Sequence, residues 1–474
     1  MKCSKPPWLS DLKKELAPGE LLLDEAALAA HAGDKWFAAH LPEAVALPCT
    51  SQAVASILRF AVNHQIPVTA RGAGYGYVGG CVPSQGGIVL SLARMNRIKE
   101  INSGDFVAVV QPGVLTQTLQ DAVEKQGLYY PPDPASRANC TIGGNIATNA
   151  GGPRCLKYGV TRDYILGLEV VLADGSIVRL GSRTHKNKTG FDLTRLFVGS
   201  EGLLGVVTEA TLKLLPLPPY RACLSVGFAS MKEATRAIRS IFAGGFLPCA
   251  LELADAFTLA AAHKRTGSAM LANCYAHIFV ELDGQEKSVR SEVKQLESLV
   301  RSARPLFIKR AYGHDQCEAF WQLRREFSFA LRDTGLTKLN EDIVVPRGRL
   351  EELFRFAGQL QKKHGFPVAC FGHAGDGNIH VNIMVDSSQP GAMKRCEVAL
   401  DELFQGVLAL GGVITGEHGI GLAKKRWWPM AASPELRQLH ETIKIALDPS
   451  GILNPGKFVE IKNRRMKSAV WKPS

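Results

Sequence analysis

Imidazole, carboxylate and guanidinium groups move protons and hold metal ions near neutral pH, and this chain gathers several of them in its last third. The run Phe371-Gly372-His373-Ala374-Gly375-Asp376-Gly377-Asn378-Ile379-His380-Val381-Asn382 sets an Asp-Gly dipeptide between two alternating segments, the signal of a two-residue hairpin turn. With Asp376 and Gly377 as the central pair, Gly375 faces Asn378, Ala374 faces Ile379 and His373 faces His380. Their Cβ atoms would then stand about 5 Å apart on one face. Asn382 shares that face, while Ile379, Val381, Ile383 and Val385 take the other, apolar one. Two imidazoles so placed can share a divalent ion or can be satisfied structural residues, and the hairpin alone does not choose. The run Gly416-Glu417-His418-Gly419 adds a carboxylate and an imidazole between glycines, after the apolar segment VLALGGVIT. Glu417 would complete a His, His, carboxylate donor set with positions open to substrate, the pattern of a catalytic zinc or manganese centre. His418 would be left to act as a base.

A second kind of chemistry needs glycine, because only a backbone without side chains lets a phosphate or a flat ring approach its amides closely. Gly74-x-Gly76-x-x-Gly79 follows the short strand IPVTA. A Rossmann fingerprint requires a helix to open at such a loop, whereas this chain runs on through Gly80, Gly86 and Gly87 into another strand, so that reading fails. A main-chain phosphate cradle remains, with Arg71 beside it to offset charge. Pro131-Pro132-Asp133-Pro134-Ala135-Ser136 and the stretch from Thr141 to Gly152 carry almost no side-chain bulk, as suits a segment lying against something flat. Helical spacing puts Arg324 and Ser328 of FWQLRREFS on one face, and by itself that face reads as solvated.

The blocks ARGAGYGYVGG, YPPDPAS, TIGGNIATNAGGPR, FVGSEGLLGVVTEATLKL, GHAGDGNIHVN, GEHGIG and DPSGILNPGK resemble the FAD-linked oxidases of the vanillyl-alcohol oxidase type, from about Leu41 to Lys457. The likeness leans toward glycolate oxidase catalytic subunits and the D-lactate and D-2-hydroxyglutarate dehydrogenases. It implies an α+β fold, with a two-part FAD-binding domain and an α+β substrate (cap) domain built on an antiparallel sheet. It implies FAD contacts at Arg71, Gly72, Ala73, Gly74, Tyr75, Gly76, Pro132, Ser136, Thr141, Gly143, Gly144, Asn145, Ala147, Thr148, Gly152, Glu201, Gly205, Val206, Val207 and Asn454. Tyr75 and Tyr77 stand where such loops usually carry small residues, so the pyrophosphate pocket is locally reshaped. The first glycine loop has no histidine, which implies non-covalent FAD, and Cys140 and Cys155 read as buried structural cysteines. The resemblance implies the same metal ligands, His373, His380 and Glu417, for zinc or manganese. It also implies a carboxylate-binding Arg324, a hydroxyl at Ser328, and roles for Asn382 and His418 in catalysis; Lys338 lies close to a basic substrate contact. The expected reaction is oxidation of a 2-hydroxy acid of glycolate or D-lactate type to the 2-oxo acid. Flavin-dependent alkyl transfer, as in alkyl-dihydroxyacetonephosphate synthase, is the alternative within the fold, and a catalytically silent flavin or nucleic-acid binder is the alternative outside it.

Elements to position these residues are legible around them. The 474 residues are 46% hydrophobic and 21% charged, a globular composition long enough for two to four domains. Eleven cysteines without any C-x-x-C exclude an internal iron-sulfur cluster or zinc ribbon, so an iron-sulfur relay would have to come from a partner subunit. No apolar run reaches the roughly 18 residues of a spanning helix and the start lacks a leader pattern, so the expectation is a cytoplasmic protein with any membrane association peripheral and through a partner. The net charge of +12 suits an acidic small substrate, an anionic lipid or nucleic acid. Aromatic residues do not interleave the basic ones as a nucleic-acid stacking surface would require, which weighs against the last of these. The expected organisation is an N-terminal helical segment (1–40), the FAD domain (41–218), the cap with the metal site (219–440), a returning segment (441–460) and a solvated basic tail (461–474). The prolines at 216, 218 and 219 mark the main linker.

Overall fold

The computed structural model describes residues 6–461; all of the basic tail beyond Ile461 lies outside them. The chain is α+β and divides into two units. One comprises the chain up to Ala150, Val160–Pro216 and the chain from Glu417; the other comprises Gly151–Gly159 and Leu217–Gly416.

Among the described residues the first unit carries two larger sheets and a two-stranded one that pairs Leu128–Tyr129 with Leu215–Pro216. Strands Ala44–Ala46, Ile88–Ser91 and Val68–Arg71 run parallel, with Leu21–Leu22 added antiparallel at the edge. The helix Ser51–His64 starts where the Thr50 hydroxyl accepts from the Ala53 amide (3.1 Å), and buries Val54, Ile57, Leu58 and Ala61 at helical spacing. The second sheet is antiparallel, in the order Ile98–Asn102, Val107–Val110, Val206–Lys213, Ile165–Val171, Ile177–Gly181.

The division departs from the sequence reading in three places. Residues before 41 are not a separate segment, because Leu12 of the helix Trp8–Glu15 packs into the same core as Ile57 and Leu58, and Leu21–Leu22 completes a sheet. Residues 417–440 leave the cap for the first unit, which also holds the helix Pro434–Leu447: its buried Lys444 donates to the Leu203 carbonyl at 2.7 Å. Gly151–Gly159 joins the second unit, because Arg154 forks onto the buried Glu281 (3.0 and 2.9 Å) and the Tyr158 hydroxyl donates to Asp283 (2.7 Å). Charge pairs between residues this distant in sequence leave no periodic signal.

The second unit is a seven-stranded sheet, antiparallel throughout, in the order Phe307–Tyr312, Tyr220–Phe228, Ala276–Gly284, Ala250–Asp255, Val368–His373, Asn378–Val385, Thr337–Val344. Helices Ala256–Thr266 and Gly313–Arg332 pack on one face of it, where Leu259, Ala262, Phe327 and Leu331 meet Ala254, Phe371 and Met384. Side chains alternate across a strand, so the ladder register assigns His373, Asn378, His380, Asn382, Lys338, Asn340, Asp342 and Glu252 to that same face.

Candidate active site

The hairpin turn is longer than the Asp-Gly signal predicts. His373 pairs with Asn378, Gly372 with Ile379 and Phe371 with His380, so Ala374, Gly375, Asp376 and Gly377 all lie in the turn. The main chain dictates this. The Gly375 amide donates to the Leu251 carbonyl (3.0 Å), and Gly377 adopts φ +79° where an added Cβ would stand 2.0 Å from the Val345 carbonyl. His373 and His380 therefore meet diagonally, on one face, with ring centroids 5.5 Å apart and planes at 83°. The Asn382 amide nitrogen is occupied by the carbonyls of Ala369 (2.9 Å) and His380 (3.0 Å). Its buried Oδ1, like that of Asn340 directly opposite, has no partner among the described residues, which leaves an acceptor on this face.

His373, His380 and Glu417 each offer one ligand atom, and these atoms lie within 4.8 Å of one another. Glu417 follows Gly416, whose amide donates to Asp342 Oδ2 at 2.9 Å. Two neutral imidazoles and a carboxylate suit zinc or manganese with sites left open, and the donor set fits such an ion.

Two carboxylates that the sequence reading did not single out organise this face. Glu252 accepts from His373 Nδ1 (2.6 Å) and from Arg324 Nε (2.8 Å). Burial opposes its ionisation, yet the adjoining imidazole and guanidinium hold its carboxyl down to about 2. Asp342, wholly buried, accepts from Asn378 Nδ2 (2.7 Å), the Thr415 hydroxyl (3.1 Å) and the Gly416 amide, and stands 3.9 Å from His380 Nδ1. The available signal was acid residues set in otherwise apolar strand runs, in CALELAD and in NEDIVV. Arg324 is thus no solvated residue: its guanidinium lies over the Phe371 ring (4.8 Å) and is tied to Glu252. Ser328, one helical turn on, accepts from Lys338 Nζ (2.8 Å). Lys338 has no carboxylate partner among the described residues, and burial, with Arg332 adding to it, lowers its ammonium to about 8.

In the first unit the two glycine stretches meet. A Cβ on Gly72 would stand 2.5 Å from the Thr141 hydroxyl, with the Gly144 backbone beyond it at 3.4 Å, and a Cβ on Gly143 would stand 2.6 Å from Pro112. Arg71 does not face out over the loop. It lies beneath Gly74, its guanidinium donating to the Gly33 carbonyl (2.6 Å), and braces the loop from below. Glu201, buried at φ +50°, accepts from the amides of Ile420 (2.7 Å) and Gly421 (2.8 Å), while its own amide donates to the Ala147 carbonyl (2.8 Å). Asn454 donates to the Glu201 carbonyl (2.7 Å), and its Oδ1 is a buried acceptor without a partner among the described residues. These contacts fix the loop that carries His418, whose ring lies 5.3 Å from that of Tyr77 on the glycine loop.

Several expected FAD contacts have structural duties. Val206 is buried in the hydrophobic core, a Cβ on Gly205 would meet Val170 at 2.6 Å, and Asn145 donates to the Thr116 hydroxyl (2.7 Å). Gly152 belongs to the other unit. Gly72, Thr141 and Gly144 come together, as do Ala147, Glu201 and Asn454; the buried Pro132 accepts from Gln120 (3.0 Å), and Ala73, Tyr75, Gly76, Ser136, Thr148 and Val207 stay partly exposed in this unit.

A model described as an FAD binding domain matches residues 42–181, and one described as the C-terminal domain of FAD linked oxidases matches residues 217–458. The chain belongs to the FAD-linked oxidases. Among curated members, the glycolate oxidase subunit GlcD of Bacillus subtilis is 39% identical over 88% of this chain and 89% of its own length. The D-lactate dehydrogenase of Anaerostipes hadrus is 34% identical over 95% of this chain and 97% of its own length. The crystal structure of p-cresol methylhydroxylase with substrate bound shares the fold at a TM-score of 0.78 and 20% identity, over 96% of this chain and 97% of that one. As an FAD-linked oxidase of the vanillyl-alcohol oxidase fold, the chain is an oxidoreductase with an FAD-binding domain. The glycine cradle, where an added carbon has no room, and the unpartnered Asn454 acceptor fit that cofactor. Among the described residues no helix is long and apolar enough to cross a membrane.

Proposed function

We propose that this FAD-linked oxidase removes two electrons and two hydrogens from a 2-hydroxy acid of the glycolate or D-lactate kind, giving the 2-oxo acid. The observation that carries the reading is one sheet face holding two imidazoles, one of them bonded to a buried carboxylate that also holds a partly buried guanidinium, the groups that a hydroxyl next to a carboxylate requires. Arg324 binds the substrate carboxylate with a charge-assisted bond, and Asn382 lies on the same sheet face as a polar contact for the substrate. His418 takes the hydroxyl proton as the Cα hydrogen leaves with its electron pair. Bound FAD, held without a covalent link, supplies the acceptor for that hydride. His373, His380 and Glu417 would hold a zinc or manganese ion, which supplies Lewis-acid polarisation of the substrate oxygen. Likeness to a protein named as a subunit, in a chain without C-x-x-C, supports reoxidation through a partner, of which an iron-sulfur protein is one class.

Anaerobic titration of the yellow protein with a panel of 2-hydroxy acids tests this. Bleaching of the flavin by glycolate or by one enantiomer of lactate is expected. A flavin that no 2-hydroxy acid bleaches would overturn the reading and return flavin-dependent alkyl transfer to first place.

A further inference from the structure

Glu252 sits between the two halves of the proposed substrate site and divides its oxygens between them. Oε1 accepts from His373 Nδ1 at 2.6 Å, and Oε2 accepts from Arg324 Nε at 2.8 Å. Its strand lies beside that of His373, with Leu253 paired to Gly372, so a main-chain ladder and not a loop fixes the approach. The guanidinium is held as well, over the Phe371 ring. A carboxylate paired with a guanidinium can only accept, so the proton of His373 resides on Nδ1 and its lone pair on Nε2. His380 turns the same nitrogen, Nδ1, toward the buried Asp342.

We infer that Glu252 is a positioning residue that sets the tautomer of His373 for metal binding and that Arg324 competes for the same carboxylate. The inference rests on the metal reading given above. It predicts an asymmetry that a plain buried ion pair would not show. In Glu252→Gln the side chain keeps one acceptor. With its oxygen drawn to Arg324, its amide N–H groups face His373 Nδ1, which must then accept and moves the ring proton to Nε2. Removing Arg324 as well frees the amide oxygen to turn back to Nδ1–H and restores the tautomer, with only the charge missing.

The measurement is the affinity of the FAD-loaded protein for Zn²⁺ and Mn²⁺ by chelator competition, with flavin content recorded alongside. Glu252→Gln is expected to bind the ion about 10–100-fold more weakly, the usual scale for losing a carboxylate behind a ligating histidine. Glu252→Gln combined with Arg324→Met is expected to regain at least about threefold of that loss. A loss below about threefold in the single variant, or no recovery in the double one, overturns the inference. If the single variant does not fold, the double variant is compared with Glu252→Leu combined with Arg324→Met, which offers Nδ1 no acceptor; the amide is expected to hold the ion at least about threefold more tightly, and equal affinities overturn the inference. Wild-type protein that binds neither ion defeats the metal reading itself. Tight binding in every variant leaves that reading standing and removes only the role of Glu252.

Discussion

The two units set out their candidate sites by opposite means. The first uses absence: Gly72, Gly74 and Gly143 stand where any side chain would strike Thr141, Arg71 or Pro112, and its Arg71 supports main chain from below. The second uses presence: His373, His380, Glu252, Asp342 and Asn382 crowd one face of a sheet, with hydrogen bonds on His373, Glu252, Asp342 and Asn382 and with His380 Nδ1 3.9 Å from Asp342. The difference teaches where each site is fragile. An added carbon damages the first, and a removed functional group damages the second.

Gly143→Ala gives the sharpest break between the two. One methyl against Pro112 displaces the helix Ile142–Thr148, and the purified variant is expected to carry no flavin, read from visible absorbance. Retained flavin would mean the cradle yields and the contrast is overdrawn. His418→Ala is the exception that sharpens it, because this imidazole belongs to the first unit yet is the base in the proposed reaction. Flavin reduction in rapid mixing is expected to fall by about 100-fold or more with FAD still bound. An unaltered rate would move the base elsewhere.

In the second unit the buried His277 ring bonds to the Ser225 hydroxyl (2.7 Å), and burial, helped by Arg324, lowers it from 6.5 to about 4. Its folded form is neutral, so its contribution to stability is fully present above pH 6.5 and is lost as pH falls through about 4. The size is about 3 kcal/mol. Urea midpoints at pH 7 and pH 4 should fall less in His277→Gln than in wild type; equal falls would remove the ring from the acid sensitivity. Arg324→Met gives the smallest effect, about 2 kcal/mol, or roughly a 30-fold rise in KM, with the limiting reduction rate little altered. A fall confined to that limiting rate would contradict a ground-state carboxylate contact.

The same contrast decides what could be read from the sequence. Glycine runs announce a main-chain cradle because no other residue tolerates the approach, and the Gly72 to Gly76 and Thr141 to Gly152 stretches were legible on that ground. The histidines were legible through alternation, which survives an error of register: the turn has two more residues than Asp-Gly implies, yet His373 and His380 still share a face. Glu252 was not legible, since its strand is buried on both faces and carries no alternation to mark the acid as inward, and Asp342 was not, since Glu341 beside it masks which of the two points in. The reversal of Arg71 could not be read either, because its partner Gly33 offers only a carbonyl. The cap boundary at Gly416 in place of 440 was hidden for a similar reason. The contacts that reclaim the later residues, such as Lys444 on the Leu203 carbonyl, are made to main chain and leave no mark in composition.

Those returning contacts also bear on how the protein is made. The Val68 amide donates to the Ile452 carbonyl (2.8 Å) and the Asn454 amide to that of Val68 (2.7 Å), while the Asn454 side chain reaches Gly80, 374 residues earlier. A ribosome adding about 5–20 residues per second needs roughly 20–75 s to cover that interval. Throughout it the first sheet waits with main-chain groups unsatisfied, while nearly all of the second unit emerges as one continuous stretch. The cofactor-binding half begins first and closes last, so nascent chains stalled before residue 452 should carry a folded cap and no flavin.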